Sequence, residues 1–298
     1  MKARVKDTFF EKKHLINCRG SFLDLSTPKI MGVLNVTPDS FYDGGRYESV
    51  SEVISHVSEM ISEGADIIDI GAYSSHPGAI HISEKEEFDR LEKVVSKIRG
   101  KYPEQILSVD TFRAGIAQRV VRNFSVDIIN DISGGNLDES MFDVIADLQV
   151  PYIIMHMPGN PQTMQQQTAY KDIVREILTY LGAKVHGLRK RGIADIIVDP
   201  GFGFGKTLEQ NYALLAHLDE FQILKEPIMV GISRKSMIYK YLGLNADGAL
   251  NGTTALHMHA LIHGANILRV HDVKEARQTI ELFNKIQEEK NKYVEEST

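Results

Sequence analysis

Ile30-Met31-Gly32-Val33-Leu34-Asn35-Val36 is a nearly continuous apolar run that ends on a single amide, and Thr37-Pro38-Asp39-Ser40-Phe41 follows it. A strand buried on both faces reads this way, because helices cover a parallel sheet above and below. Further short runs follow at Ile67–Ile70, Ile106–Val109, Asp127–Asn130, Tyr152–Met155, Ile196–Val198, Ile228–Gly231 and Ile267–Val270. Segments of helical period separate them, at Ser49–Glu63, Glu84–Arg99, Phe112–Asn123, Glu139–Leu148, Tyr170–Arg191, Leu208–Leu218, Gly248–Ile262 and Val273–Glu289. Strands alternating with helices signal βαβ units and a parallel sheet. Eight such pairs give an α/β chain the count of a closed (β/α)8 TIM barrel.

Outward from that frame, residues 1–28 hold two short alternating runs, His14–Cys18 and Ser21–Leu25, on either side of Arg19-Gly20. That spacing predicts a β-hairpin. The chain divides into an N-terminal hairpin extension over 1–28, packing on the barrel, and a barrel over 29–292. Glu288 to Thr298 is a charged tail expected to fray.

Of the 298 residues, 43% are apolar and 25% charged, enough for an ordinary core. Lysine plus arginine total 34 against 40 acids, a net charge of −6, which argues against a nucleic-acid-coating protein. A locally basic cleft for a small anion remains compatible with it. Cys18 is the single cysteine, so no internal disulfide forms. Lys2, Arg4 and Lys6 lack the apolar run that a signal peptide requires, and no stretch approaches a membrane span. These features point to the cytoplasm and away from a membrane.

Catalytic groups of such barrels lie at the C-terminal ends of the strands and in the loops after them. Here those ends carry Asn35, Asp69, Asp110-Thr111, Asn130-Asp131, Met155-His156, Asp199, Ser233-Arg234-Lys235 and Arg269 with His271. One polar residue at a strand end is routine as a cap or turn former, and Thr111, Asp131 and Ser133 read that way. Carboxylates, amides and cations converging from so many strands are not required by structure alone. Gly201 to Thr207 ends like a P-loop, but only three residues separate Gly201 from Gly205, and Pro200 stands where the first glycine must be. Nucleotide hydrolysis is excluded. A flexible βα loop is the plain reading, and close approach of Phe204 to a flat ligand is the functional one. His257, His259 and His263 lack a Glu or Cys to complete a zinc set, so they read as helix-surface or interface residues.

Met31-Gly-Val-Leu-Asn35-Val-Thr-Pro-Asp-Ser-Phe41, Ser108-Val-Asp110-Thr111, Asp199-Pro-Gly-Phe-Gly-Phe-Gly-Lys206, Gly231-Ile-Ser-Arg-Lys235-Ser236 and Arg269-Val-His271 closely resemble dihydropteroate synthase. The resemblance runs from about Ile30 to His271. It implies a transferase of folate synthesis that joins 6-hydroxymethyl-7,8-dihydropterin diphosphate to 4-aminobenzoate and is the target of sulfonamides. It implies Mg²⁺ with Asn35 as the protein oxygen ligand, and a homodimer through late helices, here Gly248–Ile262 and Val273–Glu289.

On that resemblance Asp199, Asn130 and Lys235 hold the pterin edge, and Met155 and Phe204 cover its faces. A carboxylate such as Asp199 can accept two ring N–H groups side by side. Asn35, Ser75, His76, Arg269 and His271 face the diphosphate. Asp110 touches the pterin and stabilises the cation left when diphosphate departs, so Asp110, Lys235 and Asn35 form the catalytic set. Ser233, before a helix starting near Arg234, takes the aminobenzoate carboxylate with Lys235 and Ser75, while Phe41 and Pro77 sandwich its ring. One departure stands out: Ser75-His76 replaces the Thr-Arg usual before this Pro-Gly. The rival readings are a methyltetrahydrofolate:corrinoid methyltransferase, which binds no diphosphate, and a pterin-binding protein without turnover.

Overall fold

The computed structural model describes residues 14–36, 50–74 and 81–296. Strands β1 (Leu15–Cys18) and β2 (Ser21–Asp24) pair antiparallel, with Cys18 opposite Ser21. Arg19 and Gly20 both take positive φ, as a two-residue hairpin turn demands. Eight parallel strands follow: β3 (Lys29–Asn35), β4 (Ile67–Gly71), β5 (Ile106–Asp110), β6 (Ile128–Asp131), β7 (Tyr152–Met155), β8 (Ile196–Asp199), β9 (Met229–Val230) and β10 (Ile267–Val270). Each pairs with its chain neighbour except β8 and β9, and β10 returns to β3. A single bridge between Val198 and Ile228 closes the ring, with the Val198 N–H donating to the Pro227 carbonyl at 2.9 Å.

The helices around the ring are α1 (Val50–Ser62), α2 (Glu84–Lys101), α3 (Ala114–Phe124), α4 (Met141–Leu148), α5 (Ile173–Lys190), α6 (Leu208–Ala216), the one-turn α7 (Ser236–Tyr239), α8 (Leu250–Ile262) and α9 (Val273–Glu296). Local chemistry sets several starts. Ser83 caps α2, Asp172 caps α5 so that it starts three residues inside the expected boundary, and Thr207 with Gln210 forms a capping box on α6. The charged tail does not fray as expected. Lys285 with Glu289 and Lys292 with Glu288 are i,i+4 pairs that carry α9 on to Glu296.

Three apolar clusters order the molecule along the barrel axis. The largest lies between strands and helices, from Leu34 and Ile68 out to Leu91 and Leu181. A second fills the floor: Met31, Ile67, Ile128, Ile153, Ile197, Met229 and Ile267 point inward and meet Ile16, Cys18, Leu23 and Leu25 of the hairpin. The hairpin thus plugs the end opposite the C-terminal ends of the strands. The third, at the mouth, holds Phe112, Ile132, Met155, Met157 and Met164 with Tyr73 and Phe204 at its edge.

Candidate active site

The register of the strands brings the polar residues together. Asn35 stands beside Gly71, Gly71 beside Asp110, and Asp110 beside Asn130. Met155 stands beside Asp199. Arg269 crosses the ring from β10. Its Nε donates to Asp69 Oδ2 at 2.7 Å and its Nη2 to Asp110 Oδ2 at 3.1 Å. Asn130 Nδ2 donates to the same Asp69 oxygen at 3.0 Å. Asp69 is fully buried, yet it touches residues from two other strands. The sequence reading gave it no role. Its signal was present: one carboxylate inside the run Ile67-Ile68-Asp69-Ile70 is a charge that must be paired.

Burial pushes the Asp110 carboxyl up to about 7, Asp69 adds to the shift, and Arg269 opposes it. Burial raises Asp199 too, against Lys235 and the Gly201 N–H that donates to its Oδ1 at 2.7 Å. One oxygen of Asp199 is thus already engaged. Burial pushes Lys235 down to about 8, with Asp199 opposing. Lys235 Nζ donates to the Phe202 carbonyl and lies 4.7 Å above the Phe204 ring. Asp199, Lys235 and Phe204 therefore share one wall, beside the buried Met155. Phe112 and Met164 extend that apolar surface, unanticipated because each reads as ordinary core, and Met157, which the sequence reads as half core and half rim, joins them.

The β9–α7 segment departs from expectation. Arg234 is left-handed at φ 53°, so α7 begins at Ser236 rather than near Arg234. Arg234 is held there by Asp272 through two bonds of 2.6 and 2.8 Å. Ser233 is 3% exposed, and its hydroxyl accepts the His271 N–H at 3.2 Å and meets His271 Nδ1 at 3.2 Å. Ser233 thus lies three residues before α7, and the serine at the helix start is Ser236.

Two other expectations fail. His257 is not a surface residue: it is 2% exposed, and burial pushes it down to about 4. His259 and His263 are half-buried and stack on each other at 4.0 Å. The Gly-rich turn is not loose, because Lys206 and Asn211 bind it from within, the latter accepting the Gly203 N–H at 2.7 Å. Phe41, Ser75, His76 and Pro77 lie outside the described residues. Tyr73, at the root of the second loop, is described. Its hydroxyl accepts from Gln162 Nε2 at 3.0 Å and its ring meets Phe112 edge-on at 5.0 Å.

Asn35, the residue expected to hold a magnesium ion, places its side-chain oxygen beside Gly71. A Cβ on that glycine would stand 3.6 Å from Asn35 Oδ1 and 3.8 Å from Asp110 Oδ2, so its absence leaves an oxygen-lined gap at the rim. No group of three or more His, Cys, Asp or Glu side chains forms a metal cage among the described residues. One or two protein oxygens suit Mg²⁺, which takes its other ligands from phosphate and water.

A model of the pterin-binding enzymes matches residues 31–271. The dihydropteroate synthase of Escherichia coli K12 is 42% identical over 259 residues, covering 86% of this chain and 91% of its own. The structure of Yersinia pestis dihydropteroate synthase with a sulfonamide drug complex superposes with a TM-score of 0.87 at 38% identity, over 92% of this chain and 99% of that one. That of the Xanthomonas albilineans synthase with 4-aminobenzoic acid gives 0.84 at 35% identity, over 92% and 98%.

Proposed function

The chain belongs to the dihydropteroate synthases, the folate-synthesis transferases among the pterin-binding enzymes, and on that premise we propose how its rim divides the work. The observation that carries the assignment is the shared wall of Asp199, Lys235 and Phe204 facing the Arg269–Asp69–Asn130 network. The first suits a flat ring with N–H donors, and the second sets a cation beside it.

The pterin lies against Phe204 and Met155. Asp199 accepts its N–H groups, Asn130 reads the same edge, and Lys235 donates to the ring carbonyl and N5. The diphosphate lies toward Arg269 and His271, with Ser75 and His76 arriving from the second loop. Asn35 would hold Mg²⁺, which when bound offsets phosphate charge and eases departure of the leaving group. Bond cleavage leaves positive charge on the pterin methylene and ring. Asp110, ionised and adjacent, stabilises it. The amine of 4-aminobenzoate attacks the methylene, its ring between Phe41 and Pro77 and its carboxylate at Ser236 and Lys235. Sulfonamides compete there, as the drug complex of the Yersinia pestis relative supports.

A homodimer is part of this proposal: Ile262 on α8 and Leu282 and Ile286 on α9 expose apolar side chains on the helices expected to pair. So is a cytoplasmic location; no helix of the described residues is long and apolar enough to cross a membrane. The methyltransferase reading loses its support, since the relatives are synthases.

The direct test supplies the purified protein with both substrates and Mg²⁺ and follows dihydropteroate and diphosphate. Equimolar release of the two is expected; absence of both with a folded protein refutes the reading. Asp199→Asn gives up a charge-assisted hydrogen-bonded pair, so calorimetry should show pterin affinity down by ~100-fold or more. Wild-type affinity would refute the slot.

A further inference from the structure

The Gly-rich turn after β8 contains a cation with no part in the reaction just described. Lys206 closes that turn and is 5% exposed. Its Nζ donates to the carbonyls of Gly201 at 2.7 Å, Phe204 at 2.8 Å and His156 at 3.3 Å, and lies 3.2 Å from His156 Nδ1. An ammonium has three N–H groups, and here four acceptors surround it. Burial and Lys206 itself push His156 down to about 3, so the ring is neutral and its Nδ1 offers a lone pair. Burial also pushes Lys206 down to about 7, with Lys235 adding to the shift and Asp199 opposing it.

The backbone is built around that cation. Gly201, Gly203 and Gly205 take φ of 76°, 82° and 60°, alternating with Phe202 and Phe204. A Cβ on Gly201 would strike the His156 carbonyl. Carbonyls gathered this way repel one another unless a donor sits between them, and buried acceptors left unpaired are costly.

The same turn positions three groups of the ring site. The Gly201 N–H holds Asp199 Oδ1 at 2.7 Å, the Phe202 carbonyl receives Lys235 Nζ, and the Phe204 ring lies 4.7 Å beneath that ammonium. We propose that Lys206 is a positioning residue of the pterin slot: it is the internal counter-charge around which residues 201–206 are wound, and through them it sets Asp199, Phe204 and Lys235 for the ring. This rests on the pterin reading of the slot.

The experiment measures pterin diphosphate binding by calorimetry for the wild type, Lys206→Met and Lys206→Ala, each checked for folding by circular dichroism. Folded Lys206→Met is expected to lose at least about tenfold in affinity. Lys206→Ala should recover several-fold when n-propylammonium, which replaces the deleted atoms, is added, and should not recover with n-propanol. Wild-type affinity in folded Lys206→Met overturns the proposal, as does equal recovery with the alcohol. Should Lys206→Met fail to fold, Lys206→Gln carries the test under the same outcomes. A wild type that binds no pterin refutes the slot reading itself, and this inference with it.

Discussion

Arg269 Nε donates to Asp69 Oδ2 across 2.7 Å, joining strands whose residues stand 200 apart in sequence. Asp69 is fully buried, so it is a structural partner rather than a substrate contact. It fixes the Arg269 guanidinium, and through a 3.0 Å bond it also fixes the Asn130 amide. On the roles proposed for those two residues, both substrate halves lean on one carboxylate.

Asp69→Asn should therefore damage binding at both ends. Removing one partner of a buried ion pair costs about 3–5 kcal/mol of stability. We expect a lower thermal midpoint and a loss of ~100-fold in kcat/KM for the pterin diphosphate, mostly in KM. A variant that melts lower but keeps wild-type KM would show that Asp69 serves the fold alone.

Asp110 supplies a pH prediction. Its pKa is raised by burial to about 7, and Lys235 is lowered to about 8. The proposed roles require Asp110 ionised and Lys235 protonated, so kcat/KM should be bell-shaped with limbs near those values, belonging to the interacting set rather than to single residues. Asp110→Asn should reduce kcat far more than pterin affinity and erase the acid limb. The stability effect has the opposite sense. A carboxyl whose folded pKa is raised favours the fold when protonated, a contribution present below its unfolded value near ~3.9 and lost as pH rises through about 7. Asp110→Asn should thus gain in melting temperature relative to wild type at pH ~8 and gain less at pH ~5. Parallel melting curves at both values would contradict that.

These sites show how far sequence carries. The eight strands were legible because both faces are buried and their composition says so, and strand ends such as Asp110, Asp199 and Arg269 followed from barrel geometry. Asp69 was visible but unread, since a strand pattern shows that a charge is buried without showing what pairs with it. Lys206 was left without a role once its motif failed the P-loop spacing, because no local pattern shows that its ammonium turns inward onto carbonyls of its own loop. The start of α7 was misplaced because the left-handed Arg234 is imposed by Asp272, 38 residues on, which no local propensity reports.

His76 stands where the resemblance to dihydropteroate synthase implies an arginine, and the ordinary histidine pKa near ~6.5 makes a positive charge there pH-dependent. If it contacts the diphosphate or Asp39, His76→Arg should flatten the rise of the diphosphate substrate's KM between about pH 6 and 8. An unchanged profile removes His76 from the site.

Gly71 tests the metal assignment without replacing a ligand. A methyl group there would meet Asp110 Cβ at 3.5 Å, Asn35 Oδ1 at 3.6 Å and Asp110 Oδ2 at 3.8 Å, all ordinary contacts. The backbone is strand β4 and has no left-handed requirement, so Gly71→Ala should fold with a stability change within about 1 kcal/mol. The methyl nevertheless lies against Asn35 Oδ1, so it would hinder that oxygen from holding Mg²⁺. The Mg²⁺ concentration for half-maximal activity should rise by about tenfold or more, whereas pterin binding measured without diphosphate and without Mg²⁺ should stay near wild type. If both stay unchanged, the ion is held elsewhere on the rim. If pterin binding falls as well, the methyl disturbs Asp110 itself, and the ring and metal sites share that carboxylate more closely than the roles proposed here allow.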